Sequence, residues 1–311
     1  MAISEFELIA RFFGRPGAER AEVVVGIGDD AAVLEVPPDR MVLVDVSHFA
    51  VERHFAADDP PASVAHRALG GALARVAARG AEPFAFTLAL TLPNVDEPWL
   101  EAFSAALAAL ALRQRVALIG GDTTRGALSL TLNLQGLIHP GELVPARGAA
   151  PGDLLFVAGP LGGPALALLD RLGELRLPKA ERDAAYHTLH FPEPEPDLGR
   201  ALAGLASAAG ALDDGLCAGI EALLGGTGAG ASVHLEQLPV DPVLRPRLHQ
   251  AGGWNLLRDG PAPAQVCFAL PASHQEQLAA RLQHTSIRAA WIGTVERAGG
   301  VRFLLPDGSA L

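Results

Sequence analysis

Leu118-Ile119-Gly120-Gly121-Asp122-Thr123-Thr124-Arg125-Gly126 is the stretch on which the reading of this chain turns. An apolar run, Arg115-Val116-Ala117-Leu118-Ile119, leads into it and predicts a short buried strand. The chain then breaks at a glycine pair, shows one carboxylate, two hydroxyls and a guanidinium, and breaks again at Gly126. Glycine lets backbone N–H groups approach a ligand closely. A lone aspartate beside such a turn suits a hard cation, and Thr and Arg suit phosphate oxygens. An ordinary polar turn produces the same string, so these residues alone leave both readings open.

A second stretch has the same grammar. Val25-Gly26-Ile27-Gly28-Asp29-Asp30-Ala31-Ala32-Val33 is an apolar strand, then glycine-flanked acids, then another apolar run. Adjacent carboxylates repel by about 1 kcal/mol in water and several-fold more in a drier cleft. Such a pair is stable only when solvated or neutralised by a cation. An Asp-rich turn is the alternative.

Length and composition bound the function. The 311 residues suffice for two domains. Half of them are hydrophobic and only 5% aromatic, so the core rests on Ala, Leu and Val. A formal charge of −11 argues against nucleic acid as the main partner. Of the 24 basic residues only Lys179 is a lysine, and no G-x-x-x-x-G-K-[ST] occurs, which excludes a lysine-bearing phosphate loop. Cys217 and Cys267 match no metal-ligand spacing and fit buried thiols in a reducing compartment. The start, Met1-Ala2-Ile3-Ser4-Glu5-Phe6, does not read as a signal peptide, and no apolar run nears the ~18 residues of a membrane span. The expectation is a soluble, cytoplasmic protein with no membrane partner.

Periodicity predicts strands and helices alternating through both halves, an α/β or α+β class. A short helix is expected from Ser4, as N-cap, to Phe13. Strands are expected at 23–27, 31–36, 41–46, 84–92, 116–119 and 128–138, with helices at 62–79 and 98–112. The Gly- and Pro-rich segment 143–153 predicts a junction, dividing the chain into domains 1–143 and 144–311. In the second half, strands are expected near 154–159, 231–235, 266–270, 289–295 and 301–304. Helices are expected near 162–173, 179–190, 197–209, 216–224 and 273–283.

Several segments together resemble one known family. They are Glu5-Phe6 with Leu8-Ile9-Ala10-Arg11, Gly26 to Asp30, His54-Phe55, Thr87 to Pro93, Leu118 to Gly126, Gly148 with Pro151-Gly152-Asp153, Asp214-Gly215-Leu216 and Ile292-Gly293. In order and spacing they resemble thiamine-monophosphate kinase, in the superfamily of aminoimidazole ribonucleotide synthetase. The resemblance implies a two-domain fold whose N-terminal sheet pairs with that of a second subunit, making a barrel across a homodimer. It implies ATP as phosphoryl donor, Mg2+ as cofactor and thiamine monophosphate as acceptor. Phosphate-to-phosphate transfer brings two anions together, so metal charge and positioning carry the catalysis. Residue by residue, it implies metal ligation by Asp29, Asp30, Asp45, Asp122 and Asp214, with Asp30 and Asp122 catalytic. It implies nucleotide contacts from Gly120, Gly121, Asp122, Thr123, Arg147 and Asp213, and a substrate contact from His54.

The chain also departs from the family pattern. A Ser-Thr-Asp-Thr run is here Asp45-Val46-Ser47-His48. The Asp has moved two positions, which on a strand returns it to the same face, so Asp45 is expected to reach the metal. The Asp of an Asn-x-Ser-Asp run is here Arg75, which cannot ligate magnesium but can supply fixed positive charge. An Asp-Leu-Ser-Asp-Gly run is Ala211-Leu212-Asp213-Asp214-Gly215, and an acidic, aromatic substrate loop is Gly260-Pro261-Ala262-Pro263-Ala264-Gln265. Two functions follow: a kinase with a rearranged site, or a paralogue that keeps nucleotide binding and serves as a binding protein or acts on another small substrate.

Overall fold

A computed structural model describes residues 5–14, 17–250, 252–297 and 299–311, with the side chains of residues 5 and 6 left aside. The chain forms two compact units, residues 1–76 with 81–140, and residues 77–80 with 141–311.

In the first unit, α1 (Glu5–Leu8) runs into a π-helical turn, Ile9–Phe13, whose Phe12 and Phe13 are buried. The expected cap at Ser4 lies outside the described residues. A small hairpin pairs β1 (Val23–Val25) with β2 (Val33–Leu34). Next come β3 (Met41–Ala50), α2 (Pro61–Ala78), β4 (Glu82–Leu92), α3 (Glu97–Arg113), β5 (Ala117–Arg125) and β6 (Ser129–Ile138). The α3 helix starts where Asp96 accepts a hydrogen bond from the Trp99 N–H at 3.1 Å, with Pro98 in the first turn.

The main sheet has the order β3-β6-β4-β5, so β3 and β5 are its edges. Its β6 strand runs antiparallel to β3 and β4, and β5 runs parallel to β4. Alternation then assigns the two faces. Leu88, Leu90, Leu130, Leu132 and Leu134 face α2 and α3 and form the core with Leu69, Leu73, Phe103 and Leu110. The other face carries Thr87, Ala89, Thr91, Thr131 and Asn133, and on β3 it presents Val42, Val44 and Val46, which are 39%, 57% and 62% exposed. The β1–β2 hairpin packs over one end of that face, against Ala85, Ala117, Ile119 and Leu137.

The strand β5 differs from expectation. Leu118 to Gly126 is not a strand breaking into a turn; the strand continues to Arg125. One extra residue, Ile119, sits between the Phe86–Leu118 and Thr87–Gly120 pairs, a β-bulge that absorbs the glycine pair.

The second unit holds β7 (Leu154–Ala158), α4 (Gly163–Arg171), α5 (Lys179–His190), α6 (Asp197–Leu202), β8 (Ala208–Leu212) and α7 (Leu216–Leu224). It continues with β9 (Gly230–His234), α8 (Gly253–Asp259), β10 (Ala262–Leu270), α9 (Gln275–Leu282), β11 (Ala289–Glu296) and β12 (Val301–Leu304). Its sheet has the order β12-β9-β11-β7-β10-β8. The helix expected over 197–209 stops at Leu202, and Ala208–Leu212 is a buried strand instead. Residues 262–265 of the Pro-rich segment belong to β10, where Ala264 adopts φ 65° in a bulge between Ala262 and Val266. Cys267 is buried, but Cys217 is only half-buried, so the second thiol is not a core residue. Among the described residues no helix is long and apolar enough to cross a membrane.

Candidate functional site

The first unit carries most of the chemistry. Asp122 pairs with Ala89, and Thr124 with Thr91, so all four look out from the open face of the main sheet. The Thr91 and Thr124 hydroxyls confirm this, meeting at 3.2 Å. Asp122 is exposed. Thr123, the residue between, points to the other side. The glycines have separate reasons. A Cβ on Gly121 would overlap the Leu88 carbonyl oxygen, so only glycine permits this strand spacing. A Cβ on Gly120 would meet nothing within 4 Å, so Gly120 is bare backbone open to a ligand.

Asp29 and Asp30 occupy the loop between β1 and β2 and are both exposed. Gly28 (φ 113°) and Asp30 (φ 44°) hold left-handed conformations, and the Ala31 N–H closes the turn onto the Asp29 carbonyl. Aspartate tolerates that region better than most side chains.

Asp45 does not join this set. Its Oδ2 accepts the Ser47 hydroxyl at 2.6 Å, and Ser47 is only 2% exposed, on the helix face of the sheet. Moving an aspartate by two residues keeps its face, as expected, but here that face is the one opposite to Asp122. Arg75 lies on the same side of the sheet. The α2 face that carries it also carries Arg67, which donates to the His54 carbonyl, and Gly71, which lies beside the Phe49 ring.

His54 follows the end of β3. Its Nδ1 accepts the Ala50 N–H at 3.0 Å, which leaves Nε2 to carry the proton of the neutral ring. Burial holds the imidazole below its usual titration range, and the positive charges of Arg53, His48 and Arg75 act in the same direction. Its ring meets Phe49 edge-on at 5.5 Å. His48, on the open face, hydrogen-bonds Thr131 at 2.9 Å.

Arg147, Asp213 and Asp214 belong to the second unit. Asp213 and Asp214 are exposed in the turn that starts α7; Gly215 (φ 93°) packs against the carbonyls of Asp259 and Gly260. Arg147 lies by the other end, beside Gly225. A nine-residue helix spans about 13 Å, so the structure does not bring Arg147 and Asp213 together. Among the described residues, no three His, Cys, Asp or Glu side chains gather as a ready-made metal cage.

A cleft of about 480 Å3 lies beside the start of β5, lined by Ala18, Arg20, Val23, Gly26, Ile27 and Leu118 among others. Sequence reasoning missed it, because its walls come from separate stretches, within 14–27 and at 117–118, and mix small and apolar residues with Glu19 and Arg20. The signal that could have found it is that both glycine–acid stretches begin there. Arg20 is held in the wall by Glu22 at 2.9 Å, by Glu82 at 3.5 Å and by the Arg115 carbonyl at 3.2 Å.

Comparison with known proteins gives a consistent result. The family model described as AIR synthase related protein, N-terminal domain, matches residues 28–138. The thiamine-monophosphate kinase of Salmonella typhimurium is 38% identical over 295 residues, covering 94% of this chain and 90% of that protein. That of Escherichia coli strain K12 is 38% identical over 297 residues, with the same coverage. Among solved structures, thiamine-monophosphate kinase from Stenotrophomonas maltophilia K279a superposes with a TM-score of 0.87 at 32% identity, over 100% of this chain and 99% of that one. AaThiL complexed with AMPPCP and TMP shares the fold at 22% identity, with a TM-score of 0.75 over 100% and 96% of the two chains.

Proposed function

This chain belongs to the thiamine-monophosphate kinase family, and from that membership we propose that it transfers the γ-phosphoryl group of ATP to thiamine monophosphate, giving thiamine diphosphate. The observation that carries this reading is identity of 38% spread over 94% of the chain rather than confined to one motif. The enzyme is a phosphotransferase whose acceptor is a phosphate group.

The proposed roles follow from placement. Asp122 and Asp30, both exposed oxygen donors, are the catalytic acids, and Asp29 precedes Asp30 in the chain. Together they have the donor chemistry that magnesium takes, and they would hold it along with the nucleotide's own phosphates; one or two carboxylates suffice for that mode. When bound, magnesium offsets phosphate charge. Asp45, on the other face, stands outside this set. Gly120 and Gly121 let the β5 backbone approach the nucleotide, and His54 offers its Nε2–H to the substrate. Thr123, Arg147, Asp213 and Asp214 are assigned to the nucleotide and metal side on the family pattern alone. Residues 1–143 are assigned as the nucleotide and metal domain and 144–311 as the second domain. The valine row of β3 is assigned to a second copy of the chain, because three adjacent exposed valines on an edge strand are otherwise an aggregation hazard.

Purified protein with ATP, Mg2+ and thiamine monophosphate is expected to form thiamine diphosphate. Absence of product at high enzyme concentration, with ATP still protecting against thermal unfolding, would leave a nucleotide-binding paralogue instead.

A further inference from the structure

His54 lies just beyond β3, in the turn that follows Ala50. Glu52 and Arg53 of that turn are exposed, and Glu52 adopts φ 66°, a left-handed conformation that side chains with a Cβ seldom hold. Such backbone persists only where its surroundings over-determine it, and it gathers at binding and catalytic sites.

Three sets of contacts over-determine this turn. The Ala50 N–H donates to His54 Nδ1 at 3.0 Å, and the Ala50 carbonyl accepts the His54 N–H at 3.0 Å, so ring and backbone of His54 are tied to one residue. The Glu52 N–H donates to the Phe55 carbonyl at 2.7 Å, and the Phe55 side chain is buried in the core of the first unit. The third set comes from α2. Arg67 spends one arm of its guanidinium on the His54 carbonyl and the other on Asp59 Oδ2 at 3.0 Å. The same Oδ2 accepts the Ala56 N–H at 3.0 Å. Arg67 and Asp59 thus grip the turn on both sides of Phe55.

The pair is deeply set, with the Asp59 side chain 2% and the Arg67 side chain 19% exposed. Burying an ion pair gains little net stability, because lost hydration offsets the attraction. What this pair supplies is geometry. A guanidinium holds two acceptors in a rigid fork, which the compact ammonium of lysine does not. The fork fixes the His54 carbonyl while Ala50 fixes the ring, so the neutral imidazole has one tautomer, with its proton on Nε2. A group ordered before its ligand arrives spares the complex that ordering entropy.

Resting on the substrate role given to His54 above, we propose that Arg67, with Asp59, is a positioning residue for the kinase reaction: it holds the His54 Nε2–H in place for thiamine monophosphate without itself touching that substrate.

Arg67→Lys keeps a positive charge beside Asp59 but loses the fork. Its KM for thiamine monophosphate is expected to rise at least about tenfold, with the KM for ATP unchanged. Arg67→Ala should show the same split, and millimolar guanidinium, which refills the vacated space, should reverse it. An arginine that serves only the fold would weaken both substrates together or lower Tm alone, and either result overturns the proposal. A second readout does not depend on turnover. In nitrogen NMR of histidine-labelled protein, the His54 ring is identified by the resonance lost in His54→Gln. It should show the Nε2–H tautomer in wild type and a mixture of tautomers in Arg67→Lys. An unchanged tautomer in folded Arg67→Lys protein also overturns the proposal, and leaves the kinase reading intact if wild type forms thiamine diphosphate. A wild type that forms none, with the tautomer still lost in the variant, would sink the kinase reading and leave the positioning of His54 standing.

Discussion

Asp45 and Asp122 stand on the two edge strands of one sheet, β3 and β5, and project from its opposite faces. Two carboxylates expected to share a metal therefore look away from one another, and their substitutions should separate. Asp122→Asn is expected to lower kcat at least about a hundredfold, the usual scale for losing one electrostatic contact to a transition state. Asp45→Asn should cost less than about tenfold and show mainly as a modest loss of stability, because it exchanges the charged acceptor of the buried Ser47 hydroxyl for a neutral amide oxygen. Initial rates of thiamine diphosphate formation at saturating substrates decide the matter; equal losses from both variants would refute the division of faces.

The glycine pair should divide in the same manner, but by stability. Gly121→Ala forces a methyl group into the Leu88 carbonyl and is expected to destabilise the first unit by about 3 kcal/mol or more. Gly120→Ala meets open space and should leave the unfolding free energy within about 0.5 kcal/mol of wild type while weakening ATP binding. Urea titrations of both variants, beside ATP thermal-shift curves, check this pair.

His54 sets a pH dependence. Its folded-state pKa is lowered, chiefly by burial, so the unfolded chain takes up the proton first as pH falls. The stability it allows is complete above the ordinary histidine value of about 6.5 and declines as pH drops through that value toward the lower folded one. His54→Asn should flatten this part of the curve, seen as a smaller fall in Tm between about pH 7 and pH 5. A variant curve parallel to wild type would show that His54 does not titrate in that window.

Val44 lies in the middle of the exposed valine row. A lysine there carries charge into whatever covers it, so Val44→Lys should convert a dimer of this chain to monomer in sedimentation velocity, with thermal stability reduced to that of the separated subunit. Wild type sedimenting as a monomer would remove the need for a covering partner.

Most of the alternation was legible because long periodic runs leave little choice. Pro61–Ala78 and Glu97–Arg113 are helices, and Ser129–Ile138 is a strand, within a few residues of expectation. The failures have physical causes. Gly120-Gly121 reads as a turn by composition, yet tertiary pairing with β4 carries the strand through it and places the surplus residue in a bulge. The helix expected to run on to residue 209 gives way to the strand Ala208–Leu212, which pairs with β10, where burial outweighs propensity. Gly253–Asp259 is a helix that its glycines concealed. At the site, residue types and face alternation were readable, but which face each strand turns to the helices was not. That depends on the order β3-β6-β4-β5, which no local signal encodes. Hence Asp122 could be chosen from the sequence, but its separation from Asp45 could not.

That strand order also governs synthesis. The β6 strand lies between β3 and β4, although it is the last of the four to be made. A nascent chain that has emerged only as far as Gly126 holds β4 and β5 but has nothing to pair with β3, whose valines face water and whose backbone is unpaired. The sheet closes in one step when residues 129–138 clear the ribosome and bridge both sides. Until then β3 stays unpaired, and a pause in translation before residues 129–138 have cleared the ribosome is where misassembly should concentrate.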